Sequence, residues 1–252
     1  MLFLASERVD IPGHIWYSII TIYREVTSMA TVYYIGDSTV TFNRIGSYPQ
    51  QGMSNVLPLF LKEGITMSPH GHNGRSTKSF QDEGLWNPVK NALAPGDFLL
   101  IQFGHNDEKA DPARHTDPDT TFKDNLRLFI RTAREKGAYP VLHTPIGRRL
   151  FDESGRFKPG SHGAYPQAIR EVGVELNVPV IDLTALTERF LAETGDEAAK
   201  PLFVWPVDNT HLKFDGAVTM VRFWAQEMLK LGSPYADIIE PLADTFDRRG
   251  EV

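Results

Sequence analysis

The chain has 252 residues, 41% of them hydrophobic, with a formal net charge of −6 and no cysteine. That length buries one substantial core unaided, so one domain over residues 31–252 is expected. The acidic balance argues against nucleic-acid or membrane-surface partners, and a disulfide, a thiolate zinc site and a cysteine nucleophile are all excluded.

In residues 1–30, Met1 to Ala5 meets charged residues at once, and the apolar stretch Ile15 to Tyr23 ends in Arg24-Glu25. A secretory leader runs in the opposite order, with a basic start, an apolar run of roughly 7–15 residues and then a small-residue cleavage site. Residues 1–30 are therefore expected to form a non-secretory extension packed as a helix or arm, with Met29 resembling an alternative start. Cytoplasmic location follows as an expectation, and no stretch approaches the ~20 apolar residues of a membrane span.

From residue 31, short β-rich runs alternate with longer amphipathic segments, which predicts a parallel sheet covered by helices. The expected strands are Thr31–Ile35, Ile65–Ser68, Phe98–Phe103, Pro140–Thr144 and Pro179–Ile181, each read as buried on both faces. The expected helices are Asn55–Lys62, Phe80–Leu93 with a break at Pro88, Thr120–Lys136 capped by Asp119 or Thr120, Tyr165–Leu176, Leu183–Leu191 and Ala217–Leu231. Long irregular stretches follow the strands, where the loops of an open α/β sheet build active sites.

Four islands fall in such loops: Gly36-Asp37-Ser38-Thr39, Gly71 to Ser76, Gly104-His105-Asn106-Asp107, and Asp208-Asn209-Thr210-His211. Acyl transfer at serine needs a hydroxyl, an imidazole to take its proton and a carboxylate to fix the imidazole tautomer. Ser38, His211 and Asp208 supply these, and the three-residue step from Asp208 to His211 suits a single tight turn. The Ser38 N–H, the Gly74 N–H and the Asn106 amide are candidate oxyanion donors. Each island alone is weak, since Asp-x-x-His also reads as a helix-start cap and Asn106, Asp107 and Gly74 as turn formers; their order along one alternating fold carries the argument.

At these residues the chain resembles the SGNH (GDSL) hydrolases, whose blocks supply Ser, Gly, Asn and His in this order. Thr144-Pro145-Ile146-Gly147-Arg148-Arg149 and the phenylalanine of Phe103-Gly104-His105-Asn106-Asp107 bring it nearer the rhamnogalacturonan acetylesterases of carbohydrate esterase family 12. The resemblance spans residues 32 to about 231. It implies a three-layer α/β/α sandwich on a five-stranded parallel sheet, flavodoxin-like. It also implies a serine esterase without cofactor that removes O-acetyl groups from pectin-derived oligosaccharides.

Arg148 and Arg149 are then candidates for substrate carboxylates and Trp205 for a sugar-ring wall. Their plainer readings are a loop-anchoring salt bridge and a core aromatic. His70, His72, His105 and His115 complete no ligand motif, so no metal is expected. His143 reads as a hydrogen-bonded core histidine, Asp37 as a stabiliser of the Ser38 turn, and 108–119 as a solvated loop that can rim the cleft. Two alternatives stand beside the acetylesterase: another acyl substrate, such as acetylated xylan, a lipid ester or a thioester, and a non-catalytic carbohydrate-binding protein. The oligomeric state is left open.

Overall fold

The β-rich runs become five parallel strands in the computed structural model, which describes residues 30–240. They are β1 (Thr31–Gly36), β2 (Thr66–Gly71), β3 (Phe98–Gln102), β4 (Tyr139–His143) and β5 (Val180–Ile181), in sheet order β2-β1-β3-β4-β5. The chain steps outward from β1 to β2 and then crosses to β3 on the other side of β1. This leaves a crevice at the carboxyl end of β1, where open α/β sheets place ligands. Gly36 pairs with Gly71 on one side and Gln102 on the other, so three strands end level there. The expected extension at 1–30 lies outside the described residues except for Ala30.

Side-chain alternation sends Val32, Tyr34, Leu100 and Val141 to one face of the sheet and Tyr33, Ile35, Leu99, Ile101 and Leu142 to the other. Helices α1 (Thr77–Asp82), α2 (Trp86–Ala92), α3 (Thr121–Glu135) and α4 (Tyr165–Leu176) supply partners on the second face, among them Phe80, Trp86, Phe129 and Ile169. The first face is covered by α5 (Leu183–Thr194), the short α6 (Asp196–Ala199) and α7 (Phe214–Lys230), through Leu191, Ala199 and Trp224. Among the described residues no helix is long and apolar enough to cross a membrane.

Four local expectations need correction. The segment 53–60 forms two 3-10 turns, Met53–Asn55 and Leu57–Phe60, not an α-helix. Pro58 lacks the N–H an α-helix requires and disfavours helical backbone at Leu57, while Met53, Val56, Leu57 and Phe60 still bury at helix-like spacing. The break in 80–93 falls at Gly84, which adopts φ +73°, and not at Pro88. Pro88 is the third residue of α2, where an N–H has no intrahelical acceptor to lose. The start of α3 is organised by Asp117, whose carboxylate accepts from the Asp119 and Thr120 N–H groups and the Thr120 hydroxyl; Thr120 itself makes no side-chain cap. Finally, β2 is an edge strand and only partly buried.

Candidate active site

Ser38 sits in the turn that ends β1. The Asp37 carbonyl accepts from Val40 N–H (3.2 Å) and Thr41 N–H (3.1 Å), which bends the chain away from the sheet. Gly36 is needed for this: a Cβ there would lie 2.3 Å from the Gln102 carbonyl oxygen and 2.5 Å from the Val40 side chain. Ser38 is 8% exposed, and its hydroxyl is 2.9 Å from His211 Nε2.

Asp208 and His211 share one turn ahead of α7. Asp208 Oδ1 accepts from the Thr210 N–H (2.8 Å) and the His211 N–H (2.7 Å), and Oδ2 lies 2.9 Å from His211 Nδ1. With a proton on Nδ1 pointing at the carboxylate, Nε2 is left to accept from Ser38 Oγ–H. Burial by itself would raise the Asp208 carboxyl, but the donors from His211 and Thr210 outweigh it and hold the group below the ordinary carboxylate range. The turn is tied down by the buried Leu212, whose carbonyl accepts from the Gln51 N–H at 2.8 Å, and by a Val204 N–H to His211 carbonyl bond of 2.8 Å.

Both arginines after β4 grip this turn. Arg148 donates to Thr210 Oγ1 (2.6 Å) and Glu108 Oε1 (2.6 Å), binding the Asp208–His211 turn to the loop after β3. Arg148 also lines the cleft. Arg149 donates from its backbone to the Asn209 carbonyl (2.8 Å) and from Nη2 to Asn209 Oδ1 (2.7 Å), and it pairs with Asp196. It is 3% exposed, and its guanidinium lies 4.5 Å from the Trp205 ring centroid. The expectation of a carboxylate-binding Arg149 and a sugar-facing Trp205 thus meets a different arrangement: neither lines the cleft, and they stack on each other behind the catalytic turn.

The cleft holds about 470 Å³ and is bordered by Ser38, Gly74, Asn106 and His211. Gly74 adopts φ +76°, a left-handed conformation that favours glycine, and a Cβ there would meet nothing within 4 Å. Among the described residues, the Ser38 and Gly74 N–H groups donate to no acceptor. The Asn106 amide donates one Nδ2 proton to the Arg75 carbonyl (3.1 Å), while its Oδ1 accepts from Arg114 (3.3 Å). This fixes the amide orientation and leaves the second Nδ2 proton available. Three N–H donors without a full complement of acceptors beside a serine hydroxyl can stabilise an oxyanion.

Beneath Ser38 runs a buried chain of hydrogen bonds. Tyr34 O–H donates to Gln102 Oε1 (2.6 Å), Gln102 Nε2 donates to Thr39 Oγ1 (2.8 Å), and Thr39 Oγ1 donates to Asp37 Oδ1 (2.8 Å). Since the tyrosine proton is used, His143 Nδ1, 3.0 Å away, must donate to Tyr34. Burial pushes the His143 imidazole down to about 3, so it is neutral in this role. Burial likewise pushes Asp37 up to about 6, against the opposing donors of Thr39. Asp107, raised by burial to about 7, ties α1 to the next loop through Thr77 and Thr116.

The histidines considered as metal ligands each contact other groups. His70 bonds Ser68 and stacks on Tyr33, His72 packs against Phe80, and His115 Nδ1 lies 3.0 Å from the Lys109 carbonyl. His105 lines the cleft with its ring edge-on to His162, and burial holds its imidazole well below the ordinary range. The 108–119 loop does rim the cleft, through Lys109 and Arg114, and Asn73 joins it from the Gly74 island. Sequence reasoning missed Gln50 as a cleft residue, and missed the roles of Glu108 and His162, whose 2.9 Å contact backs Arg148; nothing local marked Gln50.

The sequence matches the GDSL-like Lipase/Acylhydrolase family over residues 34–216. Rhamnogalacturonan acetylesterase RhgT of Bacillus subtilis (strain 168) is 40% identical over 218 residues, covering 82% of this chain and 92% of that protein. The crystal structure of YxiM from Bacillus subtilis superposes with a TM-score of 0.73 at 26% identity, over 82% of this chain and 58% of that one. An acetylxylan esterase from Geobacillus stearothermophilus shares the fold at a TM-score of 0.60 and 18% identity, over 82% and 97%. The chain belongs to the GDSL-like lipase/acylhydrolase family.

Proposed function

We propose that this protein is a serine esterase that removes O-acetyl groups from pectin-derived, rhamnogalacturonan-type oligosaccharides through an acetyl-serine intermediate on Ser38. Ser38 Oγ attacks the acetyl carbonyl carbon as His211 Nε2 takes the hydroxyl proton, and Asp208 stabilises the imidazolium that forms. The carbonyl oxygen becomes an anion facing the N–H groups of Ser38 and Gly74 and the Asn106 amide. Collapse breaks the bond to the sugar oxygen, which leaves with the proton from His211. Water then adds to the acetyl-serine by the same route in reverse order of proton transfer, releasing acetate and restoring Ser38.

One observation carries the chemistry: the Asp208, His211 and Ser38 side chains form one hydrogen-bonded line, 2.9 Å per link, that ends in the cleft. The substrate class rests on the 40% identity to a rhamnogalacturonan acetylesterase over most of both chains. A small acyl group is further supported by the residues that border the cleft, among which the described ones include no Leu, Ile, Val, Met or Phe side chain to hold a fatty chain. The proposal places the reaction in the cytoplasm, on imported oligosaccharides; a mature N-terminus found near Thr31 would overturn that placement.

Acetate release from acetylated pectin fragments, acetylated xylan and a nitrophenyl acetate tests the reading. Ser38→Ala and His211→Ala should abolish release, and pectin fragments should be preferred. Undiminished turnover in Ser38→Ala sinks the mechanism, and preference for xylan or an octanoate ester sinks the substrate.

A further inference from the structure

The residues that follow Gly74 serve two sides at once. Ser76 starts α1 through a reciprocal pair with Ser79: the Ser79 N–H donates to Ser76 Oγ (3.1 Å) and the Ser76 N–H to Ser79 Oγ (2.9 Å). Arg75 is thereby held at the rim of the catalytic cleft. Its carbonyl accepts from the Asn106 amide on the catalytic side, and its guanidinium bonds Glu83 at 2.7 Å on the other.

On that other side lies a second cavity of about 480 Å³. It adjoins the catalytic cleft, because Gly74 and Arg114 line both. Arg114 spans the boundary, donating to Asn106 Oδ1 in one direction and lying 2.8 Å from Asp111 in the other. The space beside Gly74 is open, since a Cβ there would meet nothing within 4 Å.

The wall chemistry is consistent throughout. Three cations each face one carboxylate: Arg75 with Glu83, Lys78 with Asp82 at 2.6 Å, and Arg114 with Asp111. Ala113 is the one aliphatic side chain in the lining. A carboxylate keeps acceptor sites beyond its ion pair, and a guanidinium keeps donors, so the pairs present both kinds of group to a ligand. Hydroxyls use both kinds together, and the sugar ring faces can lie on the apolar stems of Arg75, Lys78 and Arg114.

We propose that this second cavity is a subsite for the sugar units adjoining the acetylated one, so that an oligosaccharide chain leaves the catalytic cleft past Gly74 and lies along Arg75, Lys78 and Arg114. The inference rests on the esterase reading above and extends it: the enzyme recognises a hydroxyl-rich chain and not only an acetylated ring.

The test compares kcat/KM for acetylated pectin-derived oligosaccharides of increasing length, from a single sugar upward, with nitrophenyl acetate measured in parallel. Two net hydrogen bonds to added sugars should raise kcat/KM about tenfold with length. Ala113→Trp fills the cavity from an exposed position, and it should flatten this rise, lowering the ratio of long-oligosaccharide to nitrophenyl acetate turnover about tenfold. Lys78→Ala should lower the same ratio in the same direction, and it decides the matter if the tryptophan variant does not fold. A flat length profile in the unaltered enzyme overturns the subsite, as does a rise that persists in both variants. Ser38→Ala run on the same substrates separates the two readings, because retained turnover there refutes the esterase mechanism whatever the length profile.

Discussion

Asp208→Asn isolates what the carboxylate contributes beyond holding its turn. Asp208 Oδ1 accepts the Thr210 and His211 N–H groups, and an asparagine oxygen in the same place retains both bonds. Its amide nitrogen then replaces Oδ2, 2.9 Å from His211 Nδ1. Two donors cannot face each other, so Nδ1 becomes the acceptor and the ring proton moves to Nε2, toward Ser38 Oγ. The imidazole can no longer take the serine proton, and the imidazolium loses its counter-charge. A tautomer error of this kind costs on the order of 10⁴-fold in kcat, or about 5 kcal/mol of transition-state stabilisation. Stability should barely move, because the turn bonds survive, whereas Asp208→Ala removes them and should lose about 1–2 kcal/mol as a cap deletion does. Steady-state hydrolysis of nitrophenyl acetate and urea unfolding of both variants check the two halves. Retention of a tenth or more of the kcat at neutral pH in Asp208→Asn would refute the tautomer argument.

Three further outcomes follow from the same geometry. Asn106→Ala removes one of three oxyanion donors and should lower kcat by about 10²–10³-fold with little change in KM, measured on the same ester. Tyr34→Phe leaves both His143 Nδ1 and Gln102 Oε1 without their buried partner and should cost about 2–4 kcal/mol in urea unfolding; a loss under about 1 kcal/mol would mean the chain beneath Ser38 is not stabilising. Asp37, raised to about 6 by burial, binds its proton more tightly in the folded state than in the unfolded one. Its protonation therefore stabilises the fold, fully below the ordinary carboxylate value and progressively less as pH rises through about 6. Carbon NMR of labelled aspartate should find a carboxyl titrating near 6 that disappears in Asp37→Asn, and a titration near 4 would contradict the burial argument.

The buried chain from His143 to Asp37 gives the Ser38 turn a rigid floor. Every link is made from groups on β1, β3, β4 or the turn itself. Parallel pairing sets these strands in register, with Gly36 level with Gln102 and Gln102 level with His143. The nucleophile is thus positioned by the sheet and not by its loop alone, as suits a site that must hold its geometry closely.

Local sequence was sufficient for the elements whose periodicity reports burial directly. Helix α4 was read to its observed limits, and four of the five strands were placed within a residue or two, because alternation and 3.6-residue spacing are properties of the segment itself. The order of Ser38, Gly74, Asn106 and Asp208 with His211 was legible for a related reason: each lies beyond a strand or before a helix that sequence could locate. Long-range placement was not legible. Whether β2 would be an edge depends on which strands flank β1, and nothing within Thr66–Gly71 encodes that. Arg148 and Arg149 were weighed for substrate contact because guanidinium suits carboxylates, but their partners, Thr210, Asn209 and Asp196, lie some 50 to 60 residues away in sequence. Side-chain chemistry, set by the sequence alone, states which groups an arginine can bind; only the tertiary fold decides which of them comes within reach, and here it set both arginines against the turn that carries Asp208 and His211 while leaving Arg148 alone of the two on the cleft wall.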